Sequence, residues 1–250
     1  MTGDSASVHP TAVVEPGAQL GEGARVGPYA VIGPDVRIGK ETVIKPHTLV
    51  EGHTTIGERN EIGPFASLGL PPQDTKFKGE KTRLKIGDRN IIREQVTIHL
   101  GTAGGRGITT VGDDCFLLVG VHIAHDCVIG NRVIIANATH LGGHVEIEDD
   151  AVLGALIGVH QFVRIGRVSM VAAKAGLPMD VPPYTIAAGD RASLRGLNKV
   201  GMERVGIPKE RRAELRKAYR IIFKSSLKLE EALEKAKEEV PLSEELEHLM

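Results

Sequence analysis

The chain has no tryptophan, and only five phenylalanines and three tyrosines in 250 residues. A core of ordinary shape relies on these rings for buried area, so this interior must be narrow and filled by small aliphatic side chains. Only two cysteines occur, Cys115 and Cys127. They are too few for a disulfide framework and fit a reducing, cytoplasmic setting. A charge excess is missing too: 31 Lys+Arg stand against 32 Asp+Glu, a net charge of −1. That balance removes overall charge as an argument for nucleic acid or an anionic membrane. No run of about 18 apolar residues occurs, and Met1–Pro10 lacks a basic segment followed by an apolar one, so neither membrane insertion nor a secretory signal is expected.

What is abundant is glycine, 30 residues, and a repeat. Stepping by six from Val8 meets only Leu, Ile or Val: Val14, Leu20, Val26, Ile32, Ile38, Ile44, Val50, Ile56, Ile62 and Leu68, then Ile86, Ile92 and Ile98. After a one-residue phase shift the series runs from Val111 to Leu177. The next residue is often Gly (Gly21, Gly27, Gly33, Gly39, Gly57, Gly63), read here as a φ > 0 corner. Three further on stands a small or β-branched residue (Ala24, Ala30, Val36, Thr42, Thr48). Two inward positions on a short strand followed by a turn describe one face of a β-helix. Three faces make a coil of 18 residues, and the hexads predict about nine coils.

Two segments break the period and read as loops extruded from the prism: 69–85, with the space of one whole coil and a stiff Pro71–Pro72, and the Gly-rich 100–110. Loops on a rigid scaffold are where function collects. The register ends near Pro182–Pro183. The pattern turns helical from about Asp190, with a helix over Lys209–Lys224 that has Pro208 at its first position, and an acidic last segment, Leu229–His248. This predicts a β-helix domain over 1–188 and a small α-helical domain over 189–250. Between Arg195 and Lys228 eleven Lys/Arg face three Glu, a stretch suited to an acidic partner or a phosphorylated ligand and equally to a solvated helix face.

Histidine gathers in one region: His122, His125, His140, His144 and His160. Adding 18 places His122 below His140, Asp126 below His144, and His125 below Gly143, with Gln161 one coil further. A histidine under a glycine has space beside its ring and a backbone N–H nearby, a setting for a general base and an oxyanion donor. A metal held by three histidines is the rival reading, and a purely structural β-helix a third. Cys115 and Cys127 fall at inward small positions and read as core.

The segments Ile86–His99 (IGDRNIIREQVTIH), His122–Asn137 (HIAHDCVIGNRVIIAN), GGHV at 142–145, VHQF at 159–162, DVPPY at 180–184 and the GLN–GM-R–G pattern of 196–206 resemble the UDP-N-acetylglucosamine 3-O-acyltransferases, hexapeptide-repeat enzymes that open lipid A synthesis. The resemblance runs over nearly the whole chain. It implies a left-handed coil, since hand cannot be read from the period and crossovers are normally right-handed. It also implies transfer of an R-3-hydroxyacyl group from acyl carrier protein to the sugar 3-position, by a homotrimer without metal or redox cofactor. No large domain is seen ahead of the repeat, unlike the N-acyltransferase of the same pathway.

By this resemblance His125 is the base, Asp126 its support and Gly143 N–H the oxyanion donor. Asp74 and Lys76 contact the acyl hydroxyl and the sugar phosphate. His122, His144, His160 and Gln161 line the cleft, while Asn198 and Arg204 reach the nucleotide. Met170, Ala173 and Arg191 gauge the acyl chain, and Ala173, where some members have Gly, implies an intermediate or shorter one. Val200 and Val205 depart from the Glu and Arg of some members. A 3-amino acceptor, used by some relatives, stays open beside the 3-hydroxyl. The rival carrying three histidines would be a trimeric zinc protein of the gamma carbonic anhydrase type.

Overall fold

The computed structural model describes residues 5–250, so the first four residues of the stretch read for a signal lie outside it. Three parallel sheets of short strands wind about one axis. Strands stack with partners 18 residues apart: Val8 on Val26, Val14 on Ile32, Leu20 on Ile38. We call the sheets A, B and C in that order. The hexad side chains point inward and from Val26 to Leu177 are buried in a single apolar column. At the first coil Val8 is exposed, while Val14 and Leu20 are partly buried against the column. Ala24, Ala30, Val36, Thr42 and Thr48 are buried as expected. So are Cys115 and Cys127, whose thiols donate to Gly130 O and Gly142 O.

The hexad glycines have a different job from the one expected. None of Gly21, Gly27, Gly33, Gly39, Gly57 or Gly63 has positive φ. The left-handed position falls two residues later and is filled by ordinary side chains, among them Tyr29, Glu41, His47, Arg59, Asp126, His144 and Phe162. Glycine is needed instead because the next coil passes close by: a Cβ on Gly39 would stand 2.5 Å from Gly57 C, and one on Gly63 2.6 Å from Arg93 C. Left-handed non-Gly residues cost roughly 1–2 kcal/mol each. The stack holds them, as where His144 N–H donates to His125 O at 3.0 Å. Because they recur every 18 residues, their side chains line up along the prism edges.

The first insertion does not occupy a coil. Ile62 pairs with Ile92, thirty residues on, so twelve residues leave the prism entirely, between strands Ser67–Leu70 and Arg83–Ile86. The second adds seven, since Ile98 pairs with Ile123. Both emerge at the edge between sheets B and C.

The helical pattern begins later than expected. Strand Thr185–Ala188 extends sheet A, and Ser193–Leu197 folds back antiparallel onto it, the reversal passing through positive φ at Gly189 and Arg191. Helices follow at α1 (Lys199–Arg204), α2 (Lys209–Lys224), α3 (Leu229–Glu239) and α4 (Glu244–Leu249). Pro208 is the N-cap of α2, one place before the expected first turn position. Leu215, Ala218, Tyr219 and Ile222 of α2 bury one face against α3 and α4. Among the described residues no helix is long and apolar enough to cross a membrane.

Candidate active site

The B–C edge and the outer face of sheet B carry the histidines. His122, His125, His160 and Gln161 line a cleft of about 670 Å³ together with Gly143, Arg191 and Gln73 of the first loop. The stacking read by addition is found: His122 pairs with His140, His144 lies 4.0 Å from Asp126, and His125 lies under Gly143. A Cβ on Gly143 would sit 2.6 Å from His125 Cε1, so glycine alone leaves the ring its place. The Gly142 and His144 amides donate to Val159 O and His125 O, while that of Gly143 has no acceptor among the described residues.

His125 Nδ1 is 2.9 Å from Asp126 Oδ2. Asp126 is fully buried and accepts four other hydrogen bonds, all from the second loop. Thr102 N–H reaches both oxygens at 3.1 and 3.0 Å, Thr102 Oγ1–H reaches Oδ2 at 2.6 Å, and Arg106 N–H reaches Oδ1 at 2.8 Å. Burial alone would raise this carboxyl's pKa. The bonds from Thr102 and His125 outweigh it and leave the pKa below the usual value, so Asp126 is an anion at neutral pH. In the neutral ring this sets the tautomer: the Nδ1 proton points toward Asp126 and Nε2 keeps its lone pair.

Burial and the neighbouring His99 and His140 push His122 down to about 4, so it is neutral, and its Nδ1 meets Thr97 Oγ1 at 2.7 Å. Burial also lowers His144, against the pull of Asp126. Its ring stacks on Phe162 at 4.4 Å, nearly parallel. His160 is exposed, with Nδ1 3.0 Å from Gln161 O. The first loop is tied down where His99 Nδ1 meets Pro71 O at 2.6 Å. Its Asp74 accepts from Lys76 N–H at 2.9 Å and is close enough to act on the charge of His144. The Lys76 side chain is exposed.

His125, Asp126 and His144 offer ligand atoms within 4.8 Å of one another. An ion there would compete for carboxylate oxygens that already accept five hydrogen bonds, one of them filling the gap between His125 and Asp126. This donor set suits a supported base better than a metal.

Other residues expected in the site are not brought to His125 within one chain. Met170, Asn198 and Arg204 line a second cleft, of about 540 Å³, on sheet A. Asn198 is also the N-cap of α1, its Oδ1 accepting Gly201 N–H at 2.9 Å and its Nδ2 donating to Val168 O at 2.7 Å. Ala173 sits at the A–B edge, closely packed over Gly154. Thr102, Arg106 and Gln73 had escaped the sequence reading. The only signal for them was that they lie in the two extruded loops.

Short parallel strands stacked at an 18-residue repeat, with a carboxylate-paired histidine on the wall of a cleft, are the arrangement of a hexapeptide-repeat acyltransferase. Residues 108–143 match the bacterial transferase hexapeptide model, and residues 180–250 the second domain of UDP-N-acetylglucosamine O-acyltransferase. The acyl-[acyl-carrier-protein]–UDP-N-acetylglucosamine O-acyltransferase of Burkholderia orbicola is 51% identical over 176 residues, covering 70% of this chain and 67% of that one. Solved structures agree over almost the whole length. LpxA of Acinetobacter baumannii has a TM-score of 0.94 at 42% identity, with 97% of this chain and 94% of that one covered. LpxA of Bacteroides fragilis, a UDP-N-acetylglucosamine acyltransferase, has a TM-score of 0.94 at 40% identity, covering 96% and 94%. The chain belongs to the UDP-N-acetylglucosamine O-acyltransferase family. Its fold is accordingly a left-handed parallel β-helix followed by a small helical segment.

Proposed function

We propose that this acyltransferase moves an R-3-hydroxyacyl group from the thioester of acyl carrier protein to the 3-hydroxyl of UDP-N-acetylglucosamine, opening lipid A synthesis in the cytoplasm. The observation that carries the mechanism is the His125–Asp126 pair at the wall of an open cleft. His125 Nε2 takes the proton of the sugar hydroxyl as its oxygen attacks the thioester carbonyl. Asp126 stabilises the imidazolium that forms, and Gly143 N–H donates to the oxyanion. Collapse of the tetrahedral adduct expels the carrier thiolate, which recovers the proton from Nε2. Asp74, Lys76, His122, His144, His160 and Gln161 hold the two substrates beside this centre.

The working unit in this reading is a homotrimer whose cleft lies between subunits. Two observations support it. Asn198, Arg204 and Met170 line sheet A, on a different face from His125, so a second copy has to bring the nucleotide-binding half. The exposed large apolar side chains Tyr29, Phe65 and Leu156, each more than half exposed, line the A–B edge between those two faces, where rings of Tyr29, His47 and Phe65 stack at 5.1 and 4.9 Å. Such a stripe asks for cover. Met170, Ala173 and Arg191 end the acyl groove, and the exposed Arg216, Arg220 and Lys224 of α2 meet the acidic carrier. In this reading the part over 1–188 carries the reaction, and the part over 189–250 contributes Asn198 and Arg204 to the nucleotide and its later helices to the carrier, its strand Ser193–Leu197 staying paired with sheet A.

The test is incubation with UDP-N-acetylglucosamine and a panel of R-3-hydroxyacyl carrier proteins, read by mass spectrometry beside His125→Ala. An ester that disappears in the variant is expected. Absence of product with every donor would overturn the reading, and an active monomer in analytical ultracentrifugation would overturn the trimer.

A further inference from the structure

Asp126 owes its burial and most of its hydrogen bonds to seven inserted residues that the β-helix itself does not need. Thr102 is buried and gives the carboxylate two donors, its N–H and its Oγ1–H. Arg106 gives a third through its N–H. Between them the loop closes on itself, Gly105 N–H and Gly107 N–H donating to Thr102 O at 3.1 and 3.0 Å. A Cβ on Gly105 would stand 2.5 Å from Asp126 Oδ2 and 2.7 Å from His144 Cε1, so the loop lies directly on the carboxylate. The Arg106 guanidinium pairs with Glu146 on the outer face of sheet C, and Arg164 flanks Glu146 at 3.6 Å. The loop is thus tethered at one end to the chemistry and at the other to the prism.

We propose that Thr102 is a positioning residue for the catalytic base, acting through Asp126, and that the Arg106–Glu146 pair holds its loop in place. The proposal rests on the reading of His125 as the base. Thr102 Oγ1 and His125 Nδ1 share one oxygen, Asp126 Oδ2, at 2.6 and 2.9 Å. The hydroxyl therefore competes with the imidazolium for the carboxylate's charge and also holds that oxygen in place beside Nδ1. Removing it concentrates charge toward His125 and favours its protonated form, while loosening its aim. The other charged or titratable groups facing this pair are His144, the Arg106 guanidinium, Asp74 toward His144, and the Cys127 thiol beneath Asp126. None of them bonds the Thr102 hydroxyl; His144 Nε2, 4.0 Å from the same Asp126 Oδ2, feels the change from farther away than His125 Nδ1 at 2.9 Å.

The test compares Thr102→Val, which keeps the shape and the N–H, with Thr102→Ser, which keeps the hydroxyl, in the full-length enzyme with both substrates. For Thr102→Val the acid limb of kcat/KM should move up by about 0.5–1 pH unit. Its kcat should fall about tenfold, with KM for the sugar nucleotide within twofold of the parent. Thr102→Ser should restore both, and Glu146→Gln should move the limb in the same direction by less. A Thr102→Val enzyme that melts lower yet keeps the parent's acid limb would show a merely structural hydroxyl and overturn the proposal, as would a Ser variant no better than Val. Failure of the reading itself is separate: the unaltered enzyme would then make no ester.

Discussion

Substituting Gly143 by alanine tests the centre with one methyl group. The position has no positive φ, so alanine strains nothing in the backbone. The added Cβ would lie 2.6 Å from His125 Cε1, 2.7 Å from Nε2 and 3.2 Å from Nδ1. Ordinary contact begins near 3.4 Å, so the ring must withdraw by about 0.8 Å. It has little freedom to do so, because Asp126 holds Nδ1 at 2.9 Å and the His144 ring stands edge-on 5.1 Å away. A displacement of about 1 Å at a reacting group costs on the order of 10²-fold, about 2.7 kcal/mol of barrier. This lies at the lower end of the 10²–10⁴-fold range for losing a general base outright. Gly143→Ala is therefore expected to fold, to bind UDP-N-acetylglucosamine with KM within a few-fold of the parent, and to turn over roughly 100-fold more slowly. Steady-state kinetics with saturating acyl donor, beside a thermal melt, would measure this. A folded variant retaining kcat within threefold would refute the geometry, since ring and methyl cannot share the space.

Two further predictions concern the scaffold. Gly39→Ala sets a Cβ 2.5 Å from the Gly57 backbone and should destabilise by about 1–3 kcal/mol as overpacking, whereas Gly158→Ala meets nothing within 4 Å and should melt like the parent; equal melting points would contradict the stacking account. His122, at about 4 in the fold against about 6.5 unfolded, binds fewer protons when folded across that window. Stability should therefore fall as pH drops from about 6.5 toward 4, with His144 adding in the same direction. Urea midpoints at several pH values should show a shallower slope for His122→Asn, and an unchanged slope would exclude His122 as the source.

A period of six is so regular here that addition alone placed His125 under Gly143 and Asp126 under His144, because each coil contributes one residue to each column. The same addition fails at the second loop. Its seven extra residues have no column, so Thr102 and Arg106 could not be put beside Asp126 by counting. Glycine composition was visible, but its cause was not: a residue needed for φ > 0 and one needed for a close backbone look the same in a sequence. The return strand Ser193–Leu197 was hidden inside a basic, helix-like stretch, since nothing local announces pairing with Thr185–Ala188.

What the amino-acid sequence determined by itself was everything that repeats: the coil, its three faces, the aliphatic column and the stacking of the histidines in their columns. These follow from local geometry multiplied, each hexad meeting only its neighbours. The tertiary structure alone decided the rest. It showed which oxygen of Asp126 the loop and the histidine share, that the Asn198 amide is committed to capping α1 and bonding Val168, and that the sheet A cleft opens away from His125. Such contacts join segments of unrelated register, and only the folded chain sets the distances between them.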